Sequence, residues 1–199
     1  MGKPPEIILQ ARLDQEALAR AEEKLNEAEL VWAGADAVAR ATRWAQGQII
    51  DGIYERYTLK KRDIRNKVRR EFPGALEGKV EVPGFKLSLI KFQHRPRSRF
   101  SALTRKPRGG VTVQIKRSGG PAVFLNTFVE RGRKTGRLFI MRRPGPVGDQ
   151  APQRAYIKYG SSLSHGAEKV LSAIEPEVQK RLQERFLSNL QYKLTGKRI

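Results

Sequence analysis

Cysteine is absent from the 199 residues, so the chain can form neither a disulfide nor a thiolate metal site. Histidine is scarce: His94 and His165 are the only two, 71 residues apart, and two imidazoles without obvious carboxylate company make a poor metal site. No uninterrupted stretch approaches the roughly 18 apolar residues that a membrane span needs. The opening residues, Met1-Gly2-Lys3-Pro4-Pro5-Glu6, do not lead into the apolar core of a signal peptide. A soluble protein without a membrane partner is the simplest expectation.

Acidic residues are scarce where they would matter for catalysis. Residues 82–148 contain a single one, Glu130, which leaves no carboxylate cluster for divalent-metal nuclease work. Ser161, Ser162 and Ser164 sit beside His165, but neighbours in a turn do not supply nucleophile–base geometry, and His165 reads as a turn or cap residue. Ser118-Gly119-Gly120-Pro121 lacks the lysine and helix start of a phosphate loop, and the glycines at 132 and 136 lie between strands. The expectation is a protein that is not an enzyme, with no catalytic residue, no metal and no cofactor.

Positive charge is abundant. The formal net charge is +20, and residues 82–148 carry 16 basic residues against the one acid, whereas residues 1–55 carry 6 against 10. A field of that sign attracts nucleic acid, an acidic protein surface or anionic lipid about equally well; alternatively, neighbours in a large assembly cancel it.

Taken in order, apolar spacing predicts a helix over residues 7–31, with Leu9, Leu13, Ala17, Ala21, Leu25 and Ala28 on its seam. Gly34 breaks or bends the pattern, and a second helix runs from Ala35 to Tyr57, with Gly47 and Gly52 permitting close packing. Thr58 is the expected cap of a short third helix that points Leu59, Ile64 and Val68 inward. Its other side, Lys60, Lys61, Arg65, Lys67 and Arg69, is a candidate second basic face, either facing phosphates or merely solvated.

Residues 76–90 read as strand material. Residues 93–110 form a basic loop, and Arg95, Arg97, Arg99, Arg105, Lys106 and Arg108 are candidate contacts to DNA or an acidic partner. Val111, Val113 and Ile115 alternate with polar residues; with residues 122–129 and 138–141 they predict a three-stranded antiparallel meander. Its second connection carries Arg131, Arg133, Lys134 and Arg137, a further candidate contact set. A C-terminal helix is expected over about 167–195, with Leu182, Phe186 and Leu190 as candidate oligomer contacts. Pro176 either bends this helix or stands in the first turn of its main part.

The fold class is therefore α+β, an antiparallel sheet of about 4–5 strands packed against long N-terminal and C-terminal helices. The expected organisation is an N-terminal helical arm (1–33) and one α+β domain (34–199).

Several pieces occur in a fixed order over residues 35–195: the alanine-rich helices, Tyr57-Thr-Leu-Lys-Lys-Arg-Asp-Ile64-Arg, the basic loop, Gly120-Pro-Ala-Val-Phe124, Gly136-Arg-Leu-Phe-Ile-Met-Arg-Arg143, Ile157-Lys-Tyr-Gly-Ser161 and a long terminal helix. In that order they resemble the minor tail protein Z family and the wider tail-completion proteins of long-tailed bacteriophages. Val123 stands between the alanine and phenylalanine that adjoin in the family's glycine–proline–alanine–phenylalanine strand, and Phe139-Ile140-Met141 stands in its glycine–valine–arginine strand.

The resemblance implies a tail-completion-like fold and a non-enzymatic virion structural protein. It would be assembled in the host cytoplasm and act in head-to-tail joining at the neck, the head-proximal end of the tail. It implies a homo-hexameric ring, with contacts from an exposed strand edge or the terminal helices. Implied partners are tail terminator, tail tube or head–tail connector proteins, the tape-measure protein and packaged DNA. The alternative from the charge alone is a stand-alone basic nucleic-acid-binding module without sequence specificity.

Overall fold

Asn26 opens the first long helix: its side chain accepts a hydrogen bond from the Glu29 backbone N–H at 2.9 Å, and Glu27 and Glu29 place negative charge at the positive end of the helix dipole. In the computed structural model, which describes residues 7–11 (backbone), 26–95, 110–132, 134–142 and 156–196, this helix, α1, runs unbroken from Glu27 to Arg56. Gly34 neither ends nor divides it. That glycine is buried in the seam with Ala33, Ala37, Ala41 and Ala45, where packing outweighs its low helix propensity. No helix boundary therefore separates an arm ending at residue 33 from the rest.

The seam faces α3 (Leu163–Thr195), which runs antiparallel to α1: Glu29 lies near Lys193, Asp36 near Arg185, and Gly52 near Val170. A Cβ added at Gly52 would come within 2.6 Å of Val170, so this glycine does permit close approach, whereas Gly47 has nothing within 4 Å. Ser162 caps α3 by accepting from the His165 N–H at 3.4 Å, so the helix starts before Ala167 and contains His165 in its first turn. It continues through Pro176, which rules out a main helix that begins there. Gly196 ends it in the left-handed conformation, φ 69°.

Leu182, Phe186 and Leu190 are only 0, 1 and 7 % exposed and belong to the subunit's own core. They are not free to serve as oligomer contacts, because the apolar line along α3 is used against the chain itself.

Instead of one sheet of about five strands, the described residues hold four small antiparallel ones. The first has β3 (Glu77–Val82) between β1 (Ile7–Ala11) and β2 (Arg69–Gly74). Ile7–Ala11, placed by helical spacing on a helix, is a strand in register with β3 from Ile7↔Val82 to Ala11↔Gly78. The helical spacing was misleading here because a strand's partner can lie far along the chain; residues 12–25 of that reading lie outside the described residues. Gly78, Val80 and Val82 form the buried face of β3. Gly78 lies so close to α1 that a Cβ there would meet the Thr42 hydroxyl and come within 3.0 Å of Val38.

The second sheet is β5 (Gln93–Arg95), β6 (Val111–Gln114) and β7 (Ala122–Phe124), and the third is β8 (Thr127–Arg131), β9 (Leu138–Arg142) and β10 (Tyr156–Ile157). β4 (Lys86–Ser88) pairs with β11 (Tyr159–Ser162). The meander over residues 111–141 is thus two hairpins in different sheets. The run 122–129 divides at Asn126, whose φ of 57° is left-handed and turns the chain. Thr127 seals the break, accepting from Val111 N–H at 3.0 Å and donating to the Phe124 carbonyl. Around Val123 the register is Thr112↔Val123 and Val113↔Ala122.

Segment 114–117 closes the end of α1. Arg117 Nε donates to the carbonyls of Tyr54 (2.8 Å) and Tyr57 (3.0 Å), with the guanidinium 4.4 Å from the Tyr54 ring centre. These carbonyls lie at the helix end that leaves acceptors unpaired, where a cation is favourable.

Candidate anionic-partner interface

Beyond α1, Thr58 turns the chain into α2 (Lys61–Arg65). Thr58 does not cap that helix; the N-cap position is Lys60, without a side-chain bond. The Thr58 hydroxyl instead donates to the Gln114 carbonyl and accepts from Gln93 N–H at 3.1 Å, tying the entry of α2 to β5 and β6. The inward side follows the spacing: Leu59, Ile64 and Val68 are 2, 0 and 2 % exposed. Gln46 of α1 holds the exit by donating to the Val68 carbonyl at 3.0 Å. A five-residue helix is thus fixed at both ends and on its apolar side, which presents its other side to solvent.

Lys60, Lys61, Arg65, Lys67 and Arg69 are all exposed, as the spacing requires. They differ in what neutralises them. Lys61 pairs with Asp51 of α1 at 2.5 Å, and Lys67 lies 5.1 Å from the Phe85 ring centre. Arg69 stands opposite Glu81 in the register. The Glu81 carboxyl is held below its ordinary value by the Lys79 ammonium, against partial desolvation, with Arg69 adding to the field.

Lys60 and Arg65 form no ion pair among the described residues, and neither does Arg62, which the spacing argument passed over. Its signal was the unbroken run Lys60-Lys61-Arg62. Lys91 joins the patch through Asp63, 3.4 Å away. Desolvation costs little at exposed ammonium and guanidinium groups, so they remain ready to neutralise phosphates or carboxylates.

Arg95 is exposed at the end of β5, whose first residue touches Thr58, so it extends the same region. Arg97, Arg99, Arg105, Lys106, Arg108 and Arg133 lie outside the described residues. Arg131, Lys134 and Arg137 are exposed at the β8–β9 tip, which is braced by Gly132 N–H to the Arg137 carbonyl and Gly136 N–H to the Gly132 carbonyl, both 2.8 Å. The tip shares no strand or helix with α2, so the two basic sets are separate elements.

Among the described residues, the side chains near the two histidines are engaged as follows. His165 is exposed on the first turn of α3, its Nδ1 3.5 Å from Glu168; the Ser162 oxygen is used in capping and lies 3.1 Å from the Ser164 hydroxyl. His94, expected in a loop, is in β5 with Nδ1 2.8 Å from the Phe92 carbonyl oxygen. Among the described residues no group of three or more histidine, cysteine or acidic side chains is placed to hold a metal ion, and no helix is long and apolar enough to cross a membrane.

The helix pair that supports the interface is pinned by a polar clip. Asp36 accepts from Arg40 Nε at 2.9 Å, Asn189 Nδ2 at 3.1 Å and Arg185 Nε at 3.2 Å, and the buried Asn189 also donates to the Ala33 carbonyl at 3.0 Å. Burial pushes the Asp36 carboxyl up, but the bonds from Arg40, Asn189 and Arg185 outweigh it and hold the group below its ordinary value of 3.8. A depressed carboxylate stabilises the fold above its unfolded value, and that contribution is lost as pH falls through the folded value. Asp36→Asn is therefore expected to lower stability at pH 7 by about 1.5–3 kcal/mol, the scale for hydrogen bonds to charged groups. The gap between the variant and the native chain should narrow below pH 3.8, as urea unfolding across pH would record. A gap independent of pH would contradict the role of the clip.

No family model matches the chain, and no curated protein and no solved structure matches it either.

Proposed function

We propose that this chain is a non-catalytic structural subunit that docks on an anionic partner through the α2 face. In that reading it works as a tail-completion protein at the head-proximal end of a bacteriophage tail. One observation carries the anionic partner: Lys60, Arg62 and Arg65 stand exposed, without an ion pair among the described residues, at a helix whose apolar side and both ends are fixed. Cations held on a rigid element bind polyanions at less entropic cost than cations on a free loop.

The phage assignment rests on the resemblance in the order of elements over residues 35–195 and on the excess of basic residues in the middle of the chain. Packaged DNA, the tape-measure protein, or acidic surfaces of terminator, tube or connector proteins are the partners of that charge. Ring formation needs two different surfaces that meet head to tail, neither of them the buried line on α3. The edge strand β7 offers one, with Val123 and the following Leu125 55 and 63 % exposed.

Native mass measurement of the chain mixed with candidate tail tube and terminator proteins tests this reading. A closed oligomer, expected as a hexamer, supports it; monomer alone in the presence of those partners overturns it. Monomer in dilute buffer without partners is compatible with it, because partners drive assembly by mass action.

A further inference from the structure

The face of the helix pair turned away from the first sheet carries a second cationic site. Val38 and Thr42 of α1 face Gly78, and Arg40, two residues from Thr42, lies roughly 200° round the helix from it. There Arg40 meets Arg181 and Arg185 of α3 across an open groove of about 350 Å³, which Ser188 and Glu184 also line.

Each guanidinium is oriented from behind by a carboxylate. Arg40 and Arg185 give their Nε to Asp36, at 2.9 and 3.2 Å, and Arg181 gives its Nε to Glu177 at 2.9 Å. The Arg181 guanidinium also lies 4.4 Å from the Trp44 ring centre. None of the three uses an Nη atom in a hydrogen bond among the described residues. Glu184, the remaining acid in the groove, is paired with Lys180 at 3.9 Å.

Three planar forks, each held at one edge, thus leave their Nη donors for something that enters the groove. A carboxylate is saturated by one such fork, whereas a tetrahedral phosphate presents oxygens to several at once.

We propose that the groove between α1 and α3 binds a phosphate group through Arg40, Arg181 and Arg185. The phosphate comes either from a free anion or from a nucleic-acid backbone. The site is separate from the α2 face and does not depend on the function proposed for that face.

Trp32 and Trp44 are the only tryptophans, so full-length chain carrying Trp32→Phe reports the groove through Trp44 emission. The titrants are sodium phosphate and, separately, a short DNA duplex, each at constant ionic strength. A saturable change is expected, with affinity at least tenfold weaker in Arg40→Gln and unchanged in Lys169→Gln, an exposed α3 lysine outside both basic sites. Arg181→Lys keeps the charge but loses the fork; calorimetry, which does not depend on the Trp44 contact, should give the same loss. Saturation by phosphate identifies a free-anion site, and saturation by the duplex alone, with the same dependence on Arg40, identifies a backbone site. No saturation by either titrant, or equal affinity in Arg40→Gln and Arg181→Lys chains that retain native circular dichroism, overturns the proposal.

Discussion

Phe186→Ala is expected to destabilise the isolated chain by about 3–5 kcal/mol, the range for removing a fully buried phenylalanine. Phe186 is 1 % exposed in a core shared by both long helices, and alanine there would leave a cavity as well as lose the transfer energy of the ring. In a domain of this size the loss corresponds to a fall of roughly 6–20 °C in Tm. Leu187, the next residue, is 55 % exposed, and Leu187→Ala should fall within about 0.5 kcal/mol of the native chain.

The pair of variants separates two roles for the α3 apolar line. If Phe186 packed against a second copy, the native Tm would rise with protein concentration and the variant would lose that dependence. A core role gives a deficit that is the same at every concentration. Thermal scans over a hundredfold range of concentration decide between them.

The sequence made the parts governed by local rules readable. Alternation identified β6 as a strand buried through Val111 and Val113, and three-to-four spacing separated the inward Leu59, Ile64 and Val68 from the basic side of α2. Glycine as punctuation misled at Gly34, which looked like a breaker yet is buried inside α1, where small size is what packing demands. Gly166 is likewise buried, inside α3, and a Cβ there would lie 2.6 Å from the Tyr57 ring. The reverse error hid the break at Asn126, a left-handed residue that is not glycine.

Long-range pairing was not legible. Ile7–Ala11 became a strand because β3 lies beside it, a partner some 70 positions away. The groove site was hidden for the same reason: Asp36 and Arg185 are 149 positions apart, and only the antiparallel packing of α1 on α3 brings them together. Arg181 and Arg185, four apart on one helix, were the local half of that signal.

The largest effect on binding is expected from neutralising the α2 face. Changing Lys60, Arg62, Arg65 and Lys67 to glutamine leaves the buried Leu59, Ile64 and Val68 untouched, so stability should hardly move. Each cation that neutralises a phosphate contributes about 0.9 to the slope of log K against log salt. Four of them should remove roughly 3–4 units of slope and weaken duplex binding at 50 mM salt by on the order of a thousandfold.

The most direct test of the α2 face as the docking surface is therefore the salt dependence of duplex binding, measured side by side for the native chain and this fourfold variant. The account expects a steep native slope that falls by about 3–4 units in the variant. Equal slopes, with the variant folded as the native chain is, would contradict it.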